Sequence, residues 1–119
     1  PLNTPDTDAF AGTQMPGAVL LDAPLTKQGQ PVWLLRALGP DFTLITFGAA
    51  PAWAQGISRQ VQVLQIGVDV KDAQGLATQR LDAQPGTAYL VRPDQHVCAR
   101  WRVPTETAVR QALARALAA

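Results

Sequence analysis

The segment Phe42-Thr-Leu-Ile-Thr-Phe47 constrains the fold of this 119-residue chain more than any other. It is rich in aromatic and β-branched residues, and its apolar side chains occur on both faces that a strand would present. A strand of this kind lies at the centre of a sheet and needs a layer of structure on each side. The segment therefore predicts a sheet that is covered on both faces.

A second strand is predicted at 61–68, after a segment at 49–59 that contains proline and glycine and predicts only a short helix. Two strands separated by a helix favour a parallel βαβ unit. The polar segment 69–75 predicts a turn, and the pattern at 76–83 fits either one helical turn or an edge element.

The C-terminal third predicts a hairpin followed by a helix. Strands are expected at 88–91 and 96–103, with Pro93 and Asp94 in the turn between them. Alternation in the second strand places Val97, Ala99, Trp101 and Val103 on one face, and His96, Cys98, Arg100 and Arg102 on the other. Thr105 can cap a helix whose apolar residues are Val109, Ala112, Leu113, Ala116 and Leu117.

The N-terminal part carries five prolines within residues 1–31 and shows little periodicity, which predicts an extended linker or arm. Residues 32–119 are predicted to form the folded domain, beginning with a short helix or turn at 32–38. The resulting fold class is α/β, with a mixed central sheet, flanking helices and a C-terminal β-hairpin plus helix. This order is thioredoxin-like.

Composition excludes several classes of protein. Hydrophobic residues make up 47% and charged residues 16%, which argues against disorder. The net charge of +1 and the scattered basic residues argue against nucleic-acid binding, and the apolar runs are far shorter than the roughly 18 to 20 residues that span a bilayer. A single cysteine excludes an intramolecular disulfide and favours a cytoplasmic location. Because the chain does not begin with Met, we expect a processed protein or a piece of a longer one.

The lone cysteine, Cys98, is the first candidate for chemistry. On a regular strand it would share a face with His96 and Arg100, which could lower the pKa of its thiol. The alternative is a small buried hydrophobe. Asp94 adds a third metal ligand at most, so a metal site is disfavoured. For the single histidine, a hydrogen bond to a backbone carbonyl near the turn is the simpler interpretation.

A cluster of arginines surrounds the hairpin, formed by Arg92, Arg100 and Arg102, with Asp94 between them. Guanidinium groups bind carboxylates and phosphates, so an anion or an acidic partner is one hypothesis. An ion pair that fixes the hairpin is the simpler one. Trp101 and the other two tryptophans are expected in the core or at an interface.

No motif in the chain assembles a catalytic site. The glycine-rich loops GxGxxG and GxxxxGK[ST] and the nucleophile motif GxSxG do not occur. Asp69, Asp72 and Gly75 lack the alternating carboxylates and the final Glu of a calcium loop. From the residues alone, no catalytic, cofactor-binding or metal-binding residue is assigned.

The run from Ala88 to Arg102, AYLVRPDQHVCARWR, resembles the "LVRPDxHVAWR" signature near the C-terminus of class A flavoprotein monooxygenases. These are the FAD-dependent aromatic hydroxylases that include phenol hydroxylases and the 3-(3-hydroxyphenyl)propionate hydroxylase group. The N-terminal segments LNTPD, PGA and DAP, and the later segments WLL and FTL, are also similar to theirs. Two positions depart from the pattern: Cys98 is an insertion, and Gly48-Ala-Ala-Pro-Ala-Trp53 has no thiol where a thioredoxin has CxxC.

The resemblance implies a thioredoxin-like C-terminal domain attached to a larger FAD and substrate domain of the same polypeptide. FAD, NAD(P)H and the aromatic substrate would be handled there, and none of them in this chain. The leading hypothesis is a non-catalytic domain that serves stability, interdomain packing or subunit contact, with a homodimer left open. The alternatives are a stand-alone thioredoxin- or peroxiredoxin-like protein using Cys98, and a small module that binds an anion or a partner.

Overall fold

The computed structural model describes residues 2–118. Its elements in chain order are β1 (Pro24–Lys27), β2 (Gln30–Trp33), α1 (Leu34–Ala37), β3 (Phe42–Phe47), a 3-10 turn (Ala54–Gly56), β4 (Val61–Ile66), α2 (Leu76–Arg80), β5 (Ala88–Val91), β6 (Val97–Trp101) and α3 (Glu106–Ala118).

The central sheet has four strands in the order β4-β3-β5-β6. β3 and β4 are parallel, whereas β5 pairs antiparallel with both β3 and β6. Every residue of β3 is buried, as expected for a strand with apolar side chains on both faces. The predicted mixed α/β architecture, with a parallel pair and a closing hairpin, is confirmed.

The two faces of the sheet are covered differently. One face, called the helix face, packs against α3 and buries Leu44, Leu90 and Trp101. The opposite face, called the arm face, buries Ile45 and Tyr89 under the N-terminal segment, α1 and α2. The sheet therefore separates two apolar clusters within one small domain.

The terminal helix begins where its sequence predicts. The Thr105 hydroxyl accepts a hydrogen bond from the Ala108 amide at 3.1 Å, and Glu106 lies in the first turn. Its inward residues Val109, Ala112, Leu113 and Ala116 are buried. Leu117, predicted on the same apolar face, is instead 46% exposed.

The N-terminal region is more regular than its prolines predict. β1 and β2 form a two-stranded hairpin, and β2 crosses residue 31, where the arm was expected to end. Pro24 begins β1, and Pro31 lies in a two-stranded ribbon, where a missing amide is tolerated. Gln28 and Gly29 have φ of 52° and 79°, which suits a tight hairpin turn.

Several elements are shorter than the sequence predicts. In place of a helix at 49–59 there is only the 3-10 turn, and the element predicted at 32–38 is reduced to the four residues of α1. β4 ends before Gly67, whose φ of 101° breaks the extended path. The undecided segment at 76–83 contains α2. Within the described residues, no helix has the length and apolar character to cross a membrane.

Candidate functional site

The strand β6 contains a β-bulge, and the bulge sets the direction of the side chains from Cys98 to Trp101. Val91 pairs with Val97 and Leu90 pairs with Ala99, so Cys98 is an extra residue without a partner on β5. Val97 belongs to the arm-face cluster, whereas Ala99 and Trp101 belong to the helix-face cluster. The prediction that these three side chains share one face is therefore wrong.

Cys98 lies on the helix face and is completely buried. Its Sγ is 3.9 Å from the Ala112 carbonyl oxygen and 3.8 Å from that of Leu2. Burial raises the pKa of the thiol to about 11, although Arg92 and Arg115 act in the opposite direction. At neutral pH the group is a thiol, not a nucleophilic thiolate.

His96 does not assist that thiol, because it lies in the turn before β6 and bonds within the turn. Its Nδ1 is 3.1 Å from the Asp94 carbonyl oxygen, and its amide donates to Asp94 Oδ1 at 3.3 Å. Arg92 forms an ion pair with the Asp94 carboxylate and donates to Asn3 Oδ1 at 3.3 Å. Partial burial acts to raise the pKa of Asp94, but the bonds from Arg92 and the His96 amide outweigh it and lower that pKa.

Arg100 projects to the arm face, and its side chain is only 4% exposed. The guanidinium holds the Asp6 carboxylate in a fork, with Nε 3.0 Å from Oδ1 and Nη2 2.7 Å from Oδ2. Nη1 donates to the Tyr89 hydroxyl at 3.4 Å, and that hydroxyl donates to the Leu81 carbonyl. Burial acts to lower the pKa of Arg100, but its bonds to Asp6 and Tyr89 outweigh that and raise it.

Arg102 binds the same N-terminal segment from the end of the strand. Its amide donates to Asp8 Oδ2 at 2.9 Å, its Nε donates to the Ala9 carbonyl at 3.2 Å, and its Nη2 donates to Asp82 Oδ2 at 2.7 Å. Asp82 also accepts from the Ala11 amide at 2.7 Å. These two bonds lower the pKa of Asp82, with the Ala11 amide contributing most.

An aromatic ring completes this arrangement. The Phe10 ring lies against the guanidinium groups of Arg100 and Arg102, whose central carbons are 4.3 Å and 3.8 Å from its centroid. It also meets Tyr89 edge to face at 5.9 Å. We call this set the arginine clamp; its members are Asp6, Asp8, Phe10, Asp82, Arg100 and Arg102.

Sequence reasoning found the two arginines of the clamp and missed its other members. The available signal was charge complementarity, since the N-terminal segment carries Asp6 and Asp8 and the hairpin is basic. Among residues 2–118, no group of three or more His, Cys, Asp and Glu side chains is placed to hold a metal ion.

A comparison with protein families assigns the domain. Residues 13–119 match the family described as aromatic-ring hydroxylase, C-terminal. The chain belongs to this family. None of the curated proteins matches this chain, the ring-hydroxylase domain.

Solved structures agree with this assignment. The domain is similar to part of the flavin-dependent monooxygenase PieE, solved in complex with FAD and substrate, with a TM-score of 0.83 and 26% identity. The match covers 98% of this chain and 24% of PieE. Aklavinone-11 hydroxylase, solved with FAD and aklavinone, has the same fold, with a TM-score of 0.79 and 20% identity over 91% of this chain and 22% of its own.

A third similar structure is a C-terminal domain alone, from an uncharacterized protein of Bacteroides fragilis. Its TM-score is 0.60 at 19% identity, and the match covers 85% of this chain and 98% of that one. The ring-hydroxylase domain thus spans about a quarter of the two monooxygenases and nearly the whole of an isolated domain.

The N-terminus of α3 and the hairpin arginines do not fit the pyrophosphate of FAD. A pyrophosphate is commonly bound by free amides at the N-terminus of a helix, where the helix dipole stabilises negative charge. At α3 the Thr105 hydroxyl already accepts one of these amides, and Glu106 places a carboxylate in the first turn. The three hairpin arginines, Arg92, Arg100 and Arg102, are paired with Asp94, Asp6 and Asp82.

Proposed function

We propose that this chain is the non-catalytic C-terminal domain of a FAD-dependent monooxygenase that hydroxylates an aromatic substrate using NAD(P)H. One observation carries the proposal: the domain matches PieE over 98% of its own length but only 24% of that enzyme. The remaining three quarters would supply the flavin, nicotinamide and substrate sites. The poor fit of the α3 N-terminus and the hairpin arginines to the pyrophosphate of FAD supports this division of labour.

The role that we propose for the domain is structural, through packing against the FAD and substrate part of the same polypeptide. Exposed apolar side chains support this role. Val19 and Leu21 are 61% and 43% exposed on either side of the buried Leu20, and Trp33 is 52% exposed. In the full-length protein such side chains are available for contact with a neighbouring part of the polypeptide.

The arginine clamp contributes to this role by fixing the segment that leads into the domain. Asp6 and Phe10 are held against the sheet by Arg100 and Arg102, so the chain arrives along a defined path. A fixed entry path limits the orientations that the domain can take relative to the polypeptide before it. The clamp thereby helps to present the exposed apolar side chains to a single neighbour.

The test is to extend the reading frame upstream, purify the full-length product and record its visible spectrum and NAD(P)H consumption. A bound flavin that is reduced by the nicotinamide is expected. Removing the domain should then lower thermal stability or change the sedimentation of the product more than it alters the flavin chemistry. A colourless product would contradict the parent activity, and a truncated product with full stability and unchanged assembly would contradict the structural role.

A matched pair of variants tests the contact surface within the full-length product. Trp33→Ser and Leu117→Ser both replace a large exposed side chain, 52% and 46% exposed, at different places on the domain. We expect Trp33→Ser to lower the stability of the full-length product more than that of the isolated domain. Leu117→Ser should have equal effects on both. If Trp33→Ser also lowers the stability of the full-length product and of the isolated domain equally, Trp33 does not take part in the contact.

The two alternative functions find no support in the site. The thiol-protein hypothesis fails because Cys98 is fully buried with a raised pKa, and His96 bonds elsewhere. The hypothesis of an anion-binding module is weakened because all three hairpin arginines are paired with carboxylates of the same chain. The homodimer and the cytoplasmic location stay predictions.

A further inference from the structure

A cavity of about 600 Å³ lies where the two parallel strands end. Its walls include the last residues of β3 and β4, Phe47 and Ile66, and the glycines that follow them, Gly48 and Gly67. Sites for small molecules in α/β sheets commonly occur beyond the carboxyl ends of parallel strands. The volume is also within the range of about 300 to 1,000 Å³ that is typical of ligand pockets.

The walls of this cavity are mostly apolar, and its two strand-end glycines keep it open. Phe47, Ile66 and Pro85 supply apolar surface. Gly48 and Gly67 have φ of 110° and 101°, and no atom lies within 4 Å of where a Cβ would stand at either position. The glycines thus let the chain turn sharply while adding no side chain that would fill the space.

One charged group at the cavity is available to a ligand. Lys71 lies on the wall, and its backbone is fixed by two hydrogen bonds of 2.8 Å with Thr26. Among the described residues, no carboxylate lies within 4.0 Å of its ammonium group. The neighbouring carboxylate of Asp72 is engaged by α2, accepting from the Thr78 amide at 2.8 Å and the Thr78 hydroxyl at 2.7 Å.

We propose that this cavity binds a small apolar monocarboxylate, whose hydrocarbon part lies against Phe47, Ile66 and Pro85 and whose carboxylate pairs with Lys71. A carboxylate matches Lys71, the one cationic residue among the described residues that line the cavity, and an apolar body matches the walls. The cavity shares no lining residue with the arginine clamp, and Trp33 does not line it. It would bind its ligand whether or not the parent is a monooxygenase.

The test uses 2-naphthoate as the probe and the ¹⁵N-labelled 119-residue chain as the protein. Saturable shifts are expected for the amide signals of Gly48 and Gly67, with the signals of Gly12 and Gly29 as references outside the cavity. Lys71→Gln should weaken the binding of naphthoate about fivefold, the value of one partly exposed ion pair. The chain has only two lysines, and Lys27→Gln is the matched control, expected to leave the affinity unchanged.

An uncharged probe of the same shape, 2-naphthalenemethanol, separates the two parts of the proposal. It should bind Lys71→Gln and the original chain equally. A bulky residue at the wall, Ala73→Trp, should abolish binding of both probes, whereas Ala52→Trp, at an exposed residue away from the cavity, should not. Absence of shifts at Gly48 and Gly67 would overturn the site, and equal naphthoate affinities for the two lysine variants would overturn the assigned carboxylate.

Discussion

The two faces of the central sheet are closed by different physical means. The helix face is covered by α3, a regular element whose apolar residues recur at helical spacing and meet Trp101, Leu90 and Leu44. The arm face is closed in part by residues 4–11, which have no regular secondary structure and are held by arginine–carboxylate pairs and one aromatic ring.

The difference shows how an irregular segment can cover a core. A helix satisfies its own backbone groups and needs only apolar contact to dock. An extended segment must find partners for its backbone, and here the Thr4 amide donates to the Cys98 carbonyl while the Ala11 amide donates to Asp82. Directional bonds replace part of the apolar contact, so substitutions on the two faces should differ in size and in kind.

The largest effect is expected at Trp101, which is 6% exposed on the helix face. Trp101→Ala should reduce the free energy of unfolding by about 3 to 5 kcal/mol, because it removes a large buried side chain and leaves a cavity. Denaturant unfolding of the isolated chain measures it. Trp33→Ala, at a tryptophan that is 52% exposed, should cost much less. A loss at Trp101 below about 1 kcal/mol would show that the helix face is not closed by apolar packing.

The next effect is expected at Asp6 on the arm face. Asp6→Ala leaves the buried Arg100 guanidinium with the Tyr89 hydroxyl as its remaining side-chain hydrogen-bond partner, so a loss of about 2 to 3 kcal/mol is expected. The double variant with Arg100→Met should lose less than the sum of the single losses, with a coupling of about 1 kcal/mol or more. The control is Asp94→Ala, which breaks an exposed pair and should cost at most about 1 kcal/mol. Additive losses would show that Asp6 and Arg100 do not stabilise each other.

Phe10 should have a smaller effect that is confined to the arm. Phe10→Ala is expected to cost about 1 to 2 kcal/mol, from the lost contacts with two guanidinium groups and with the Tyr89 ring. Limited proteolysis should detect earlier cleavage near residues 4–11 in this variant. Phe10→Leu keeps an apolar contact but has no ring, so its stability and its resistance to cleavage should lie between those of Phe10→Ala and the original chain. If cleavage is unchanged in Phe10→Ala, the ring does not hold the arm.

The smallest effect on stability is expected at Asp82, and it should depend on pH because the Asp82 carboxylate titrates. Its pKa in the folded chain lies below the ordinary value of 3.8, so its contribution to stability is complete above that value and is lost as the pH falls through the lowered pKa. Asp82→Asn should therefore melt below the original chain at pH 7, and the gap should narrow below about pH 4. Thermal melts of both chains from pH 7 to 3 measure this, and a gap of constant size would contradict it.

Local sequence patterns were sufficient to predict the sheet and the helix that covers its helix face. They did not predict how the N-terminal segment covers the arm face. The continuous run of apolar and β-branched residues in β3 and the period of 3.6 in α3 are properties of neighbouring residues, so both elements are visible in the sequence. The pairing of Asp6 with Arg100 joins positions 94 residues apart, and no local pattern records it. The hairpin β1–β2 was missed because prolines at the start of a strand or in an edge position do not prevent pairing.

The bulge at Cys98 is the other part that periodicity could not predict. Strict alternation turns each successive side chain to the opposite face, and one extra residue reverses that assignment for every residue on one side of it. Cys98 is the residue that β5 leaves unpaired. The bulge depends on how β6 pairs with β5, which the alternation within one strand does not record.

The long sequence separation within the arginine clamp has a consequence for the order of folding. Asp6, Ala9 and Phe10 are synthesised before Arg100 and Arg102, which follow about 90 residues later. Until then Asp6 lacks Arg100 and Phe10 lacks both guanidinium groups, so the part of the arm face that residues 4–11 cover stays open to water. Contacts between distant residues form slowly because a long loop must close first. We therefore expect docking of the arm to be a late step, after β5 and β6 have paired.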